Sequence, residues 1–340
     1  MVVSSGAQAQ IGVIGAGSWG SAIAWLLGEQ GRHVRFWTHG ADLAEAINTQ
    51  HQNPRFLAQT RFAQTVVASA DLAEVVSGAE SLVMVTPSSA VSEIAQKIAP
   101  LLAATTPVVL LSKGLDFTSD RLLLEILAER FGHPERLAVL SGPNHAEEVS
   151  RGIPSGTVVA SSDADCADYF QRLFATPNFR VYTSDDTVGV QLCGAAKNVM
   201  AIACGLTVGL GYGDNTLAMI MTRGLAEISR LVIACGGQQQ TCMGLAGMGD
   251  LVVTCTSVHS RNRAFGLELA QGGSLEDYQS RTQMVVEGAL ACRTVSALAQ
   301  QKGVEMPLCE LVRAVVWGGG NLDKEIAALF QRRLKAEYES

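Results

Sequence analysis

Short apolar runs alternate with amphipathic stretches through the first half of the chain. The runs fall at residues 11–15, 33–37, 65–68, 81–86, 107–112 and 137–141, with helix-patterned windows at 19–29, 90–98 and 120–131 between them. Continuously apolar strands separated by helices predict a mostly parallel sheet covered on both faces. The pattern changes near Asp185. Beyond it Leu217, Ile220, Met221, Gly224, Leu225, Ile228 and Leu231 recur at intervals of three and four and mark one face of a helix. Arg223, Glu227 and Arg230 fall on another face, at spacings that allow pairing. The remainder to Ser340 reads as helices and loops. These patterns predict an α/β region over 1–190 followed by an all-α region over 191–340, with no repeat or low-complexity linker between them.

Composition narrows the function. The chain has 340 residues, enough for two domains, and 48% hydrophobic positions, enough for a sizeable core. A formal charge of -7 with no basic block excludes a nucleic-acid binder. The eight cysteines form neither CxxC pairs nor a zinc-spaced cluster, so no metal is expected and a reducing, cytoplasmic setting is. The first ten residues lack the basic start and apolar core of a signal peptide. The apolar run 192–210 carries Lys197 and Asn198 near its middle, which predicts a buried helix rather than stable membrane insertion.

The chemistry begins with Gly15-Ala16-Gly17-Ser18-Trp19-Gly20, after the first strand and before a helix. Gly15 permits the tight turn, Gly17 lets the backbone approach a pyrophosphate, and Gly20 lets helix and strand pack closely, while the helix N-terminus faces the phosphates. The second strand ends at Thr38-His39, where an NAD-specific site carries Asp or Glu. Without that carboxylate NADPH is accepted along with NADH, and Arg35 is a possible source of attraction unless it faces away. Asp42 in the next turn is the alternative acid.

Reduction of a carbonyl leaves a developing alkoxide that needs a proton or a positive charge. Lys113 follows a strand at the sheet's C-terminal edge, and Lys197 lies among small apolar residues in Gly194-Ala-Ala-Lys-Asn198. Each reads alternatively as a snorkelling or salt-bridged lysine. The turn 141–146 supplies exposed amides, Asn144 and His145, or is a bare turn. Asp250 could bind a hydroxyl or orient a lysine. Ser260, Arg261 and Asn262 combine a hydroxyl, a guanidinium fork and an amide, a phosphate-holding set that also reads as a capped loop.

Taken together, the stretches at 14–20, 112–115, 141–148, 190–202, 221–231, 247–257, 260–266 and 285–288 resemble the bacterial-type NAD(P)-dependent glycerol-3-phosphate dehydrogenases, in order, over about residues 11–310. The resemblance implies a Rossmann-type N-terminal domain, a helical substrate domain and interconversion of dihydroxyacetone phosphate and sn-glycerol 3-phosphate with NAD(P)H, for phospholipid synthesis. It implies that Lys197 transfers the proton, that Lys113 touches substrate and cofactor, and that Gly142, Asn144, Asp250, Ser260, Arg261 and Asn262 hold the substrate. Ser18, Trp19, His39, Ala146, Arg261, Val285 and Glu287 would join the glycines at the cofactor. Ala196 stands where the family commonly has Val, and His39 where it often has Arg. The segment before Ile11 lies outside the resemblance and is expected to be disordered. A homodimer is compatible with the sequence. Two other readings stay open: a dehydrogenase of another hydroxy acid, and a dinucleotide-binding sensor without turnover.

Overall fold

The structure is a computed structural model and describes residues 10–334, 336 and 337. The expectation of disorder before Ile11 falls on residues outside that range, except that Gln10 opens the first strand. The six apolar runs form β1 (Gln10–Ile14), β2 (His33–Trp37), β3 (Val66–Ser69), β4 (Ser81–Met84), β5 (Val108–Leu110) and β6 (Leu137–Ser141). They pair in parallel in the order β3-β2-β1-β4-β5-β6. All residues of β4, β5 and β6 are buried, which is why these strands read as unbroken apolar runs.

Two further strands, outside the six runs read from the sequence, complete an eight-stranded sheet: β7 (Ser155–Ala160), antiparallel to β6, and β8 (Phe179–Ser184), parallel to β7. The edge strand β8 buries Phe179 and Val181 but exposes Arg180 and Tyr182, and β7 opens with Ser155, Gly156 and Thr157, so neither looks like a buried parallel strand. The window at 120–131 starts its helix late, at Leu123, because Asp120 adopts a left-handed conformation (φ 56°).

The second half is helical and is built around Thr187–Gly209. This 23-residue helix has a hydropathy of 1.4, enough by length and composition to cross a membrane, yet 89% of the window is buried inside the protein. It is a core helix, and every residue from Gly189 to Thr207 is buried, Lys197 and Asn198 included. It meets Arg261–Ala270 backbone to backbone: a Cβ on Gly205 would overlap the Arg263 carbonyl, and one on Gly266 the Ile202 carbonyl. Gly288, in the first turn of Glu287–Gln301, is pressed in the same way against the Asn198 carbonyl.

The helix Asp214–Ala234 buries Ile220, Gly224, Leu225, Ile228 and Leu231, the face that the three-and-four spacing marks. Glu227 departs from its expected polar face. It is buried and accepts the Leu308 and Cys309 N–H groups (2.9 and 3.4 Å) at the start of the helix Pro307–Trp317. Burial, opposed by those two hydrogen bonds, pushes its carboxyl up to about 7.

Candidate active site

β1 delivers Gly15 to the point where β2 and β4 leave β1 on opposite sides, the crevice in which open α/β sheets bind ligands. Gly15 has φ 120°, and a Cβ there would come within 2.8 Å of the Val85 carbonyl oxygen. A Cβ on Gly20 would overlap the Gly15 carbonyl, whereas one on Gly17 would meet nothing within 4 Å. Gly15 and Gly20 thus serve the chain's own packing, and Gly17 leaves open space beside the backbone. The helix Ser18–Glu29 has neither a side-chain cap nor an acidic residue in its first turn, so its leading N–H groups are free for an anion. This arrangement fits the pyrophosphate of a dinucleotide. Trp19 is half-buried with its ring 6.4 Å from that of Phe179, and Ala146 is buried in the turn after β6.

Across the sheet edge, three charged groups meet. Lys113, beyond the end of β5, donates to Asp250 Oδ2 (2.7 Å) and to the Gly142 carbonyl (3.1 Å). Lys197, in the third turn of its helix, donates to Asp250 Oδ1 and to Thr254 Oγ1 (2.8 Å for the latter). Ser141 at the end of β6 lies 3.3 Å from Asp250 Oδ2. Asp250 is 1% exposed, as the first residue of the helix Asp250–Thr256, behind a π-helical turn at Leu245–Gly249. The carboxylate therefore bridges an ammonium from each half.

Gly194 makes this meeting possible. A Cβ there would stand 3.0 Å from Ser141 Oγ and 3.6 Å from the Lys113 stem. The electrostatics follow from burial and charge. Burial alone would raise the Asp250 carboxyl, but the two ammoniums reverse this and hold it below the ordinary carboxylate range. Burial lowers Lys197 from 10.5 to about 7, helped by the Lys113 charge and opposed by Asp250. An amine titrating near neutrality can give and take a proton at working pH.

The remaining residues of interest surround this cluster. Asn144 donates to the Gly156 carbonyl (3.1 Å), and its Oδ1 is buried without a partner. His145 Nε2 is likewise unpartnered; burial, then the Lys197 charge, lowers its basicity. Ser260 caps Arg261–Ala270 by accepting the Arg263 N–H at its hydroxyl oxygen (3.3 Å). Arg261 is exposed at the start of that helix. Asn262 is buried, donating to Asn198 Oδ1 and accepting the Gly288 N–H (both 2.9 Å). Val285 is half-buried just before Glu287. Glu287 reaches across to the sheet half and accepts Ser88 N–H (3.1 Å) and Ser88 O–H (2.5 Å).

Sequence reasoning missed Thr254 and Ser88, and gave no role to Ser141. Thr254 had a signal, since it lies four residues after Asp250 on the same helical face. Ser88 had none, being 199 residues from Glu287. His39 is exposed at the end of β2, while Thr38 is buried with its hydroxyl donating to the Gly40 carbonyl (2.7 Å). Arg35 faces away as allowed for: it is mid-strand and bonds Gln10 (3.2 Å).

A dinucleotide loop at the switch point of a parallel sheet, facing a buried lysine–aspartate–lysine bridge from a helical half, defines a nicotinamide-dinucleotide-linked dehydrogenase. Comparison with known proteins specifies which. Residues 10–167 match the family described as NAD-dependent glycerol-3-phosphate dehydrogenase N-terminus, and residues 186–327 its C-terminus. A Moorella thermoacetica protein named glycerol-3-phosphate dehydrogenase, NAD(P)+, is 44% identical over 330 residues, covering 97% of this chain and 98% of its own. One of the same name from Corynebacterium aurimucosum is 44% identical over 332 residues, at 97% and 100% coverage. The crystal structure of glycerol-3-phosphate dehydrogenase from Coxiella burnetii superposes with a TM-score of 0.92 at 38% identity, over 96% of this chain and 99% of that one. The chain belongs to the NAD-dependent glycerol-3-phosphate dehydrogenase family.

Proposed function

We infer that this enzyme interconverts dihydroxyacetone phosphate and sn-glycerol 3-phosphate with NAD(P)H and NAD(P)+, and that Lys197 is the residue that moves the proton. The observation that carries the assignment is the buried Lys197 ammonium, held by Asp250 and Thr254 and titrating at about 7. The bound reduced nicotinamide supplies the hydride. Lys197 gives its proton to the carbonyl oxygen of the substrate and takes it back in the oxidation direction. Asp250 holds both ammoniums in place, and Lys113 adds positive charge where the alkoxide develops. Gly142 and Asn144 line the substrate, while Ser260, Arg261 and Asn262 at a helix N-terminus grip its phosphate. Gly15, Gly17, Ser18, Trp19, Gly20, His39, Lys113, Ala146, Arg261, Val285 and Glu287 contact the dinucleotide. Eight free cysteines, seven of them buried, favour a reducing cytoplasm.

Two measurements test this reading. Purified enzyme oxidises NADPH or NADH when dihydroxyacetone phosphate is added and prefers it to dihydroxyacetone; equal efficiency with the unphosphorylated ketone would favour another hydroxy-acid dehydrogenase. Lys197→Met lowers the single-turnover rate by about 10²-fold or more with cofactor binding kept. Loss of cofactor binding together with turnover would make Lys197 structural.

A further inference from the structure

The end of β2 presents a cation, Arg55, that the sequence places 18 residues beyond it. Asn53, wholly buried, ties the following loop to the dinucleotide loop. Its amide nitrogen donates to the Ala16 carbonyl (3.0 Å) and to Ser21 Oγ (2.9 Å). Its Oδ1 accepts the backbone N–H groups of Arg55 (3.1 Å) and Phe56 (3.2 Å). The strap so formed sets the Arg55 guanidinium 2.7 Å from Asp42, in the first turn of the helix Ala41–Gln50 that follows β2. This is the side of the crevice where a Rossmann site meets the adenosine ribose. Thr38 is turned inward and Arg35 is bonded elsewhere, while Asp42, Arg55 and His39 stand exposed beyond the end of β2.

We propose that Arg55 receives the 2′-phosphate of NADP(H), and that its exchangeable pairing with Asp42 lets one site take both dinucleotides. The proposal rests on the dehydrogenase reading above and specifies its cofactor end. Both partners are well exposed, 61% and 69% at their side chains. Such an exposed pair contributes little to stability, so it opens easily. With NADPH the guanidinium turns from one carboxylate to a phosphate of higher charge and finds matching fork geometry there. With NADH the released Asp42 carboxylate is free to accept the ribose 2′-OH.

The test uses adenosine 2′,5′-bisphosphate and AMP as probes, titrated calorimetrically into the full-length enzyme. The wild type binds the bisphosphate more tightly than AMP. Arg55→Ala weakens the bisphosphate by about 10-fold or more and leaves AMP unchanged, while Arg55→Lys recovers part of the loss. Asp42→Asn tightens the bisphosphate and weakens NADH. A bisphosphate-to-AMP ratio equal in wild type and Arg55→Ala would overturn the assignment. NADH-linked turnover of dihydroxyacetone phosphate, measured alongside, persists in Arg55→Ala. Its absence in the wild type would sink the dehydrogenase reading by itself and leave the binding ratio to be judged separately.

Discussion

Replacing Asp250 by Asn keeps the shape of the bridge and removes its charge. In the native site the Lys197 ammonium is disfavoured by burial and by Lys113, and Asp250 is the charge that opposes both. A carboxylate about 4 Å from an ammonium at an effective dielectric of 20 is worth about 4 kcal/mol. That corresponds to about 3 pH units in the titration of the amine. Lys197 in Asp250→Asn therefore titrates well below its native value of about 7. At pH 7 few molecules then carry the proton, and the greater acidity of that ammonium makes up part of the deficit, leaving a net loss of about 10²-fold in kcat/KM for reduction. Where cofactor affinities are unchanged, the same loss appears in oxidation at the same pH, because the overall equilibrium is fixed.

The assay is kcat/KM in both directions between pH 5 and 9.5, with cofactor affinity measured separately. In the wild type, reduction falls as pH rises through about 7, where Lys197 loses its proton, and oxidation rises over the same range. In Asp250→Asn both limbs move to lower pH. Limbs at the same pH in variant and wild type would refute the claim that Asp250 sets the basicity of Lys197, whatever the size of the rate loss.

Two further outcomes follow from the geometry. Gly17→Ala folds with unchanged thermal stability, because its Cβ enters open space, but weakens dinucleotide binding about 10-fold or more, whereas Gly20→Ala destabilises the protein itself; equal effects on stability would contradict the division of roles. Glu227 has a folded value of about 7, above its ordinary 4.5, so its contribution to stability is full below pH 4.5 and is lost as pH rises through 7. Glu227→Gln therefore gains on the wild type in melting temperature between pH 5 and pH 8, and the opposite trend would show that the ionised carboxylate is the better cap for Leu308 and Cys309.

Local patterns made much of this molecule readable. The glycine loop and the strand preceding it are contiguous, and their physical demands are met within eleven residues. Lys197 stood out because a lysine among Gly194, Ala195 and Ala196 has no reason to be on a surface. β7 and β8 were not readable, since edge exposure and small polar residues erase the unbroken apolar signature that β4 to β6 carry. Glu227 misled because spacing shows which residues share a face and not what packs against that face; the Pro307–Trp317 helix buries it. Asp250 was seen as a candidate, but its double bridge depends on Lys113, 137 residues away, and on Gly194 leaving room.

The glycine contact between Thr187–Gly209 and Arg261–Ala270 has a consequence for substrate choice. The two helices touch through main chain at Gly205 and Gly266, so no side chain acts as an adjustable spacer at that crossing. One helix carries the amine assigned to the reacting oxygen and the other carries the residues assigned to the anion, so the pair works as a locked caliper set to one molecular length. A ketone with an added carbon between carbonyl and phosphate would overrun it, and relaxing that limit would require prising the helices apart at the glycines rather than trimming the pocket wall.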